Sequence, residues 1–406
     1  MTATGIDSKR SWVVATAAFV AVSVVFGIVR SFGVFFDAMA EEFGSGHGAT
    51  ALVFAVTASL YFLLGSVTGP LADRIGPRPL IAFGALSVAA GLIATAAAQT
   101  VWMGYLTFGV GVGVGFACVY VPALSTVAGW FERQRTAAIG TVASGGAVGV
   151  LVASPISAAL IEAIGFRETY VLFGITAAVV LLACAWAIER APARRTTTGA
   201  PERPFSRRAL VREQSFVRLW ASGGVVSVAL FVPSVFIPSY ATEHGAGAMH
   251  AALLLGAMGG ASMVGRAAIG AITRSGNLVG VYRGAILAMT ASLALWLVSD
   301  GNVATLWVFV ATYGVASGIL VAIIPAIVAQ MFGSAHAGGI MGLVYTSAVL
   351  GSLAGTPLSG ALIDATGAFE PSIAFVTVAS LLAWVIARPI GSAQPAAQPS
   401  AAPARA

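Results

Sequence analysis

Residues 69–78 read Gly-Pro-Leu-Ala-Asp-Arg-Ile-Gly-Pro-Arg, and this stretch joins two apolar runs at residues 49–72 and 79–98. Each run has about 20 residues or more, which is enough for a helix to cross about 30 Å of hydrocarbon. The glycines of the stretch permit close helix approach, and its aspartate and two arginines supply charges that can link helices. The stretch therefore predicts a tight connection between two membrane-spanning helices.

Apolar runs of this kind recur along the whole 406-residue chain, which is 58% hydrophobic and 9% charged. A soluble protein carries about 25% charged residues, so this composition, with a mean hydropathy of +0.93, predicts a polytopic membrane protein. No cleavable signal peptide is expected, because the first run is too long for one. Twelve spans are predicted, at residues 12–39, 49–72, 79–98, 101–126, 137–161, 169–188, 216–241, 250–272, 281–298, 303–331, 338–363 and 370–387.

Positive charge is distributed unevenly between the two sides of the predicted spans. Of the 21 Lys and Arg residues, only Arg167 is assigned to the outer side and only Arg30 and Arg266 to the membrane interior. Arg218 and Arg283 lie at the cytoplasmic ends of their spans and are counted with the cytoplasmic set. Because Lys and Arg accumulate in cytoplasmic loops, both termini are predicted to be cytoplasmic, with the protein in the inner membrane of the cell. This sidedness accounts for the net charge of +6, so nucleic-acid binding is not predicted.

Catalytic, metal-binding and disulfide chemistry find little support in the sequence. The two cysteines, Cys118 and Cys184, lie in apolar runs without metal-ligand spacing, so neither a metal, a cofactor nor a disulfide is predicted. Because no pairing of nucleophile and base is visible, an enzyme is not predicted either. The expected partner of the apolar runs is the lipid bilayer, and a monomer is expected.

The chain divides into two similar parts. Residues 1–188 hold six spans, the polar residues 189–214 form a predicted cytoplasmic linker, residues 215–388 hold six more spans, and residues 389–406 are predicted to be disordered. Landmarks repeat at an offset of 202 residues: Gly140 with Gly342, Pro155 with Pro357, Glu162 with Asp364, and Gly165 with Gly367. The sequence thus predicts an all-α membrane protein of two pseudo-symmetric six-helix halves, with a central site and alternating access.

The stretch at residues 69–78 resembles the G-x-L-a-D-r-x-G-r-r signature of the major facilitator superfamily, and the resemblance implies the major facilitator fold. A turn with solvated charges is the alternative. The implied conformational latch is formed by Gly69, Asp73, Arg74, Gly76 and Arg78. A degraded counterpart at residues 270–274 lacks the acid, so a latch in the second half is expected to be weaker or built differently.

Four further stretches are similar to the monocarboxylate porter family, which includes animal monocarboxylate transporters and bacterial lactate and oxalate/formate carriers. They are residues 31–36 (SFGVFF), 121–124 (VPAL), 231–233 (FVP) and 262–266 (SMVGR). The last is similar to the family's D-x-V-x-R motif, whose arginine binds the substrate carboxylate. The resemblance implies that Arg266 binds a small carboxylate anion and that a proton is its coupling partner.

Arg30 and Arg266 are the leading candidates for substrate binding. A guanidinium inside a membrane span normally faces a polar cavity, and its planar fork can bind a carboxylate with two hydrogen bonds. A tie to backbone carbonyls or a snorkelling side chain is the alternative for each arginine. Tyr120 and Tyr345 are candidate hydroxyl donors, although a packing role is the alternative for any single tyrosine.

Ser262 stands where animal members of the family carry an aspartate implied in proton coupling. None of the fifteen acidic residues falls in the middle of a predicted span, so the two arginines predict an anion-selective cavity. The four histidines are predicted to be solvated loop residues. The coupling proton is expected on the substrate, or on Asp37 or a histidine.

Two transport modes stay open. Proton-linked symport of monocarboxylates such as lactate or pyruvate is preferred, and exchange of a dicarboxylate for a monocarboxylate, as in oxalate/formate antiporters, is the alternative. Those antiporters carry a lysine in helix 11, whereas residues 338–363 contain no cation. An efflux pump or a transporter-like sensor is the alternative from another class. It is not preferred, because no acid falls in the middle of a predicted span to bind cationic drugs and neither terminus is expected to hold a signalling domain.

Overall fold

The computed structural model describes residues 6–191, 210–272, 277–332 and 337–391. Within these ranges the regular structure is entirely helical, and twelve helices are long and apolar enough to cross a membrane. They are α1 (Lys9–Glu42), α2 (His47–Ile75), α3 (Pro77–Ala96), α4 (Val101–Trp130), α5 (Arg135–Ile164), α6 (Phe166–Ala187), α7 (Gln214–Glu243), α8 (Ala248–Ile272), α9 (Leu278–Leu297), α10 (Val303–Phe332), α11 (Ala337–Thr366) and α12 (Glu370–Ala387). The predicted twelve-helix, all-α fold class is confirmed.

Matched landmarks of the two halves have matched structural roles. Pro155 lies inside α5 and Pro357 inside α11. Gly165 follows the end of α5 with φ +91°, and Gly367 follows the end of α11 with φ +67°. Positive φ is the conformation that glycine adopts at little cost and that commonly ends a helix. The repeat in the sequence therefore marks equivalent helix ends.

Helix α1 is interrupted, although its apolar run predicts a single span. It consists of Lys9–Arg30 and Phe32–Glu42, with Ser31 between them. The second segment packs on α7: a Cβ added at Gly33 would lie 2.5 Å from the carbonyl oxygen of Ser234 and 2.9 Å from that of Val235. Only glycine permits this approach, so the segment forms a close contact between the first six helices and the last six.

The two sets of helices contact each other mainly through three pairs of helices. The second segment of α1 lies against α7, α2 packs along α11, and α5 packs along α8. Gly259 of α8 lies so close to α5 that an added Cβ would be 2.9 Å from the Cβ of Val150. The interface between the two sets is therefore formed mainly by six helices, three from each set.

Some sequence predictions fall outside the described part of the chain. Helix α6 ends at Ala187 and α7 begins at Gln214, and residues 192–209 of the predicted linker are not described. Residues 392–406 of the predicted tail and Arg274 also lie outside the described ranges. The domain boundaries therefore stay predictions.

Candidate functional site

A cavity lies between the two sets of helices, midway along their length. Its volume is about 60 Å³, which is room for a few water molecules or a small organic ion. Its polar lining includes Arg30, Arg266, Ser234, Ser262 and Ser317. The remainder is mostly apolar and comes from α1, α5, α7, α8 and α10. The structure thus brings both candidate arginines and Ser262 to one cavity.

Arg266 is held by α5 and keeps unused hydrogen-bonding capacity. It lies one turn after Ser262, so both side chains project from the same face of α8. Its Nη1 donates to the carbonyl oxygen of Ala143 at 3.1 Å. Its Nε is buried and has no hydrogen-bond partner in the described part of the chain. A buried charged donor without a partner is costly, and an anion in the cavity can supply the missing acceptor.

Arg30 ends the first segment of α1 and is positioned by α7. Its Nη1 donates to Ser234 Oγ at 2.9 Å. Its guanidinium carbon lies 5.3 Å from the centroid of the Phe231 ring, which is within cation–π range. Arg30 therefore connects the first set of helices to the second across the cavity.

Neither of these two partners of Arg30 could be predicted from the sequence. Residues 231–233 are recognisable as a family-like stretch, but nothing local indicates that this part of α7 faces Arg30. The contact to Ser234 joins residues 204 positions apart. Only the packing of α1 on α7 reveals it.

The cavity carries uncompensated positive charge. Arg30 and Arg266 are close enough to interact electrostatically, and the described lining contains no acidic side chain. Charges interact strongly where water is scarce, so an empty cavity holds two mutually repelling cations. A bound anion relieves that repulsion.

The candidate tyrosines lie near Arg266 without lining the cavity. Tyr120 and Tyr345 both interact electrostatically with Arg266. The Tyr120 ring packs edge-on against Phe26 with centroids 5.1 Å apart, and the Tyr345 ring lies 5.4 Å from Phe62. Both tyrosines thus stand close to the guanidinium, in aromatic packing, rather than at the cavity wall.

The predicted latch residues meet the end of α6. Gly76 connects α2 to α3 with φ +95°, as a tight turn requires. Arg78 donates to the carbonyl oxygen of Trp186 at 2.7 Å and to Glu189 Oε1 at 2.9 Å. Glu189 also pairs with Arg10 at 2.5 Å. A charged cluster therefore ties the α2–α3 connection to α6 and to the start of α1.

Asp73 contributes to this cluster through its backbone. Arg190 donates to the carbonyl oxygen of Asp73 and, at 3.4 Å, to that of Arg74. The Asp73 carboxylate has no ion pair within the described ranges. Gly69 lies close to α4, where an added Cβ would be 3.3 Å from Val121 Cγ1. A latch role for these residues stays a prediction.

A second polar contact closes the molecule at the end opposite the termini. The backbone N–H groups of His47 and Gly48 donate to the Asp364 carboxylate at 2.8 and 2.9 Å, and His47 Nδ1 lies 2.8 Å from Asp364 Oδ1. In the neighbouring contact, between α1 and α7, Ser239 Oγ donates to Asp37 at 2.5 Å. We call these two contacts the outer seam.

The outer seam corrects the expectation for His47. The sequence predicts a solvated loop histidine, whereas the structure pairs it with an aspartate 317 positions away. The carboxylate also accepts from the N-terminus of α2, where the helix dipole favours negative charge. Because the partner is so distant in sequence, this pairing had no local signal.

These features define a twelve-helix transporter with a central cavity between two sets of helices. The family model for the Major Facilitator Superfamily matches residues 17–338. Monocarboxylate transporter 3 of Rattus norvegicus is 30% identical over 376 residues, covering 90% of this chain and 76% of the relative. Monocarboxylate transporter 11 of Mus musculus is 28% identical over 378 residues, covering 90% and 84%. The chain therefore belongs to the Major Facilitator Superfamily and, within it, to the monocarboxylate porter family.

Solved structures with the same fold are more distant in sequence. The nucleoside transporter NupG superposes with a TM-score of 0.77 at 10% identity, covering 93% of this chain and 99% of that chain. A bacterial homolog of the human lysosomal transporter Spinster superposes with a TM-score of 0.76 at 16% identity, covering 94% and 98%. These superpositions show the same twelve-helix fold. Membership of the transporter family makes the protein a multi-pass membrane protein and a secondary transporter, not an enzyme.

Proposed function

We propose that this protein carries small carboxylate anions, as a proton-linked symporter of monocarboxylates of the size of lactate and pyruvate. One observation supports this most directly: the unpartnered Nε of Arg266, in a cavity that also holds Arg30 and whose described lining has no acid. The names of the relatives agree with a monocarboxylate cargo. A small cavity with a partly apolar lining suits a short organic acid.

In this proposal the carboxylate binds the guanidinium fork of Arg266, and Arg30 neutralises it from the other side. Binding removes the repulsion between the two arginines and joins the two sets of helices through one ligand. Tyr120 and Tyr345 interact electrostatically with Arg266, and in this proposal they help to orient it. The two sets then rock about the occupied site, opening one end and closing the other.

The proton enters the cycle with the substrate in the simplest form of the proposal. The described lining has no carboxylate or imidazole to receive it. Asp37 and His47 of the outer seam are the alternative proton acceptors. Either route makes uptake of a monoanion electrically neutral.

Uptake of labelled lactate into proteoliposomes tests the proposal. An inward proton gradient is expected to drive accumulation above equilibrium, and a potential imposed with potassium and valinomycin is expected to have little effect. Arg266→Ala protein, reconstituted to the same density, serves as the control for binding. Equal lactate uptake with and without the proton gradient would contradict symport.

Anion exchange is the second candidate, favoured by the two arginines in one cavity. A dicarboxylate could use both guanidinium groups, one at each end. Oxalate uptake that requires internal formate or oxalate would favour exchange over symport. Indifference to lactate, pyruvate and oxalate in correctly inserted protein would overturn the carboxylate proposal and favour the efflux or sensor alternative.

A further inference from the structure

A long groove runs along the outside of the protein between α1 and α6, away from the central cavity. Its volume is about 640 Å³. One wall is formed by Lys9, Trp12, Val13, Thr16, Ala17 and Val20 of α1. The other wall is formed by Val179, Val180, Ala183, Cys184 and Ala187 of α6. Lys9 is the single charged residue among these eleven.

The groove has the length of one membrane leaflet. On α1 its residues follow helical spacing from Lys9 to Val20, so they form one stripe. The twelve residues from Lys9 to Val20 are separated by eleven rises of 1.5 Å, so they extend about 16 Å, which is about half of a 30 Å hydrocarbon layer. Lys9 stands at the terminus-bearing end, where the leaflet meets water.

The walls face the surroundings of the protein. Val13 is 57% exposed and Val179 64% exposed, and Trp12 beside Lys9 is 40% exposed. Tryptophan is enriched at the level of lipid headgroups. Small side chains at Ala17, Ala183 and Ala187 leave a furrow, where larger ones would fill it.

Lys9 is the uncompensated cation at the mouth of the groove. It is the only lysine in the sequence, and its ammonium has no ion pair in the described part of the chain. The neighbouring Arg10 and Arg78 both pair with Glu189, so that carboxylate is already engaged. A lysine binds phosphate as a point charge.

We propose that this groove binds an anionic phospholipid, with one acyl chain lying along α1 and α6 and the phosphate paired with Lys9. The apolar walls match the chain, their length matches one leaflet, and the free ammonium matches the headgroup charge. A helix from a second copy of the protein is a poorer occupant. It would be about 10 Å wide with its side chains, whereas the furrow lies between two helices already in contact.

Because Lys9 is the only lysine, amine labelling reports on this site directly. The full-length protein is placed in nanodiscs of phosphatidylglycerol or of phosphatidylcholine and treated with an acetylating reagent. Modification of Lys9 and of the N-terminal α-amino group is then quantified by peptide mass spectrometry. Labelling of Lys9 is expected to fall at least about fivefold in phosphatidylglycerol, with the α-amino group changing less than twofold. Equal protection of both amines would show a general surface effect and overturn the proposal.

Two variants locate the protection. Ala183→Trp fills the groove and is expected to restore Lys9 labelling in phosphatidylglycerol to its level in phosphatidylcholine. Leu182→Trp is the matched control, because Leu182 is exposed on α6 outside the groove, and it should keep the protection. Persistent protection in Ala183→Trp would overturn a groove site. Lys9 could instead be protected in phosphatidylcholine, together with a dimer detected by native mass spectrometry. That result would assign the groove to a second copy of the chain and overturn the lipid proposal.

Discussion

At the scale of single residues, the two arginines of the cavity differ in how the protein holds them. Arg30 has a hydroxyl acceptor and an aromatic ring from α7. Arg266 has one backbone acceptor and a buried Nε without a partner in the described structure. Arg30 is therefore the more firmly positioned cation, and Arg266 has more hydrogen-bonding capacity left for a ligand.

We predict that Arg266→Ala lowers kcat/KM for lactate uptake by at least about 30-fold, because losing one partner of a buried charge pair costs about 2–5 kcal/mol. Arg266→Lys is expected to recover only part of this loss, since lysine keeps the charge without the planar fork. Initial rates in proteoliposomes measure both effects. Uptake by Arg266→Ala at the level of the unchanged protein would show that the substrate binds elsewhere.

Ser234→Ala is predicted to raise KM by roughly tenfold while changing kcat less. The substitution removes the side-chain acceptor of Arg30, and a hydrogen bond to a charged group contributes about 1.5–3 kcal/mol. Ser227→Ala is the matched control, because Ser227 lies on the same helix and donates to the carbonyl oxygen of Gly223. Similar KM values for the two variants would argue against a positioning role for Ser234.

At the scale of helices, the outer seam joins four elements. Helices α1 and α2 come from the first set, and α7 and α11 from the second. Ser239 of α7 donates to Asp37 of α1, one turn after the close approach of Gly33 to the α7 backbone, and Asp364 binds the N-terminus of α2. Both contacts have to separate before the protein can open at this end.

Gly33→Ala is predicted to shift the protein towards states open at the outer seam. Its Cβ would lie 2.5 Å from a backbone oxygen, so the helices have to move apart. Distances between spin labels on the outer ends of α1 and α7 measure the shift. Gly140→Ala is the control, because its Cβ would meet nothing within 4 Å. Identical distance distributions in the two variants would contradict the prediction.

Asp364→Asn is predicted to weaken the closed seam, because the amide lacks the charge that favours the α2 N-terminus and accepts fewer hydrogen bonds. Glu162→Gln is the matched control at the repeat-related position on α5, where the side chain has no ion pair within the described ranges. Spin-label distances between α2 and α11 should lengthen only in Asp364→Asn. Lengthening in both variants would point to a general loss of helix packing.

At the scale of the whole molecule, the distribution of positive charge predicts cytoplasmic termini. A cysteine-free background, with Cys118 and Cys184 replaced by alanine, allows a direct test. A membrane-impermeant maleimide applied to intact cells should label Glu41→Cys, at the α1 end distant from the N-terminus. It should label Gln134→Cys, between α4 and α5, only after permeabilisation. The opposite pattern would reverse the orientation.

Much of the architecture could be predicted from the sequence because the bilayer imposes a simple rule. Each span needs about 20 apolar residues, so the twelve runs predict the twelve helices, and most of their predicted ends lie within a few residues of the observed ones. The break of α1 at Ser31 was not predictable. An apolar run has the same composition whether or not its helix is interrupted.

The candidate site was likewise predictable from the sequence only in part. Arg30, Arg266 and Ser262 were identifiable, because a charge inside an apolar span is conspicuous and the 262–266 stretch resembles a known motif. Ser234, Phe231 and the pairing of His47 with Asp364 were not. Their residue types are ordinary, and their importance comes from partners some 200–320 positions away.

The stretch at residues 69–78 illustrates what the sequence determines and what only the tertiary structure decides. By itself, the sequence determined the membrane class, the number of helices, the internal repeat and the presence of two intramembrane cations. Hydrophobicity and charge act on each segment independently, so they can be read one segment at a time. Only the tertiary structure decided that both arginines share one cavity, that α7 positions Arg30, and that Arg78 meets α6 through Glu189. Those contacts depend on how distant helices pack, and no single segment contains that information.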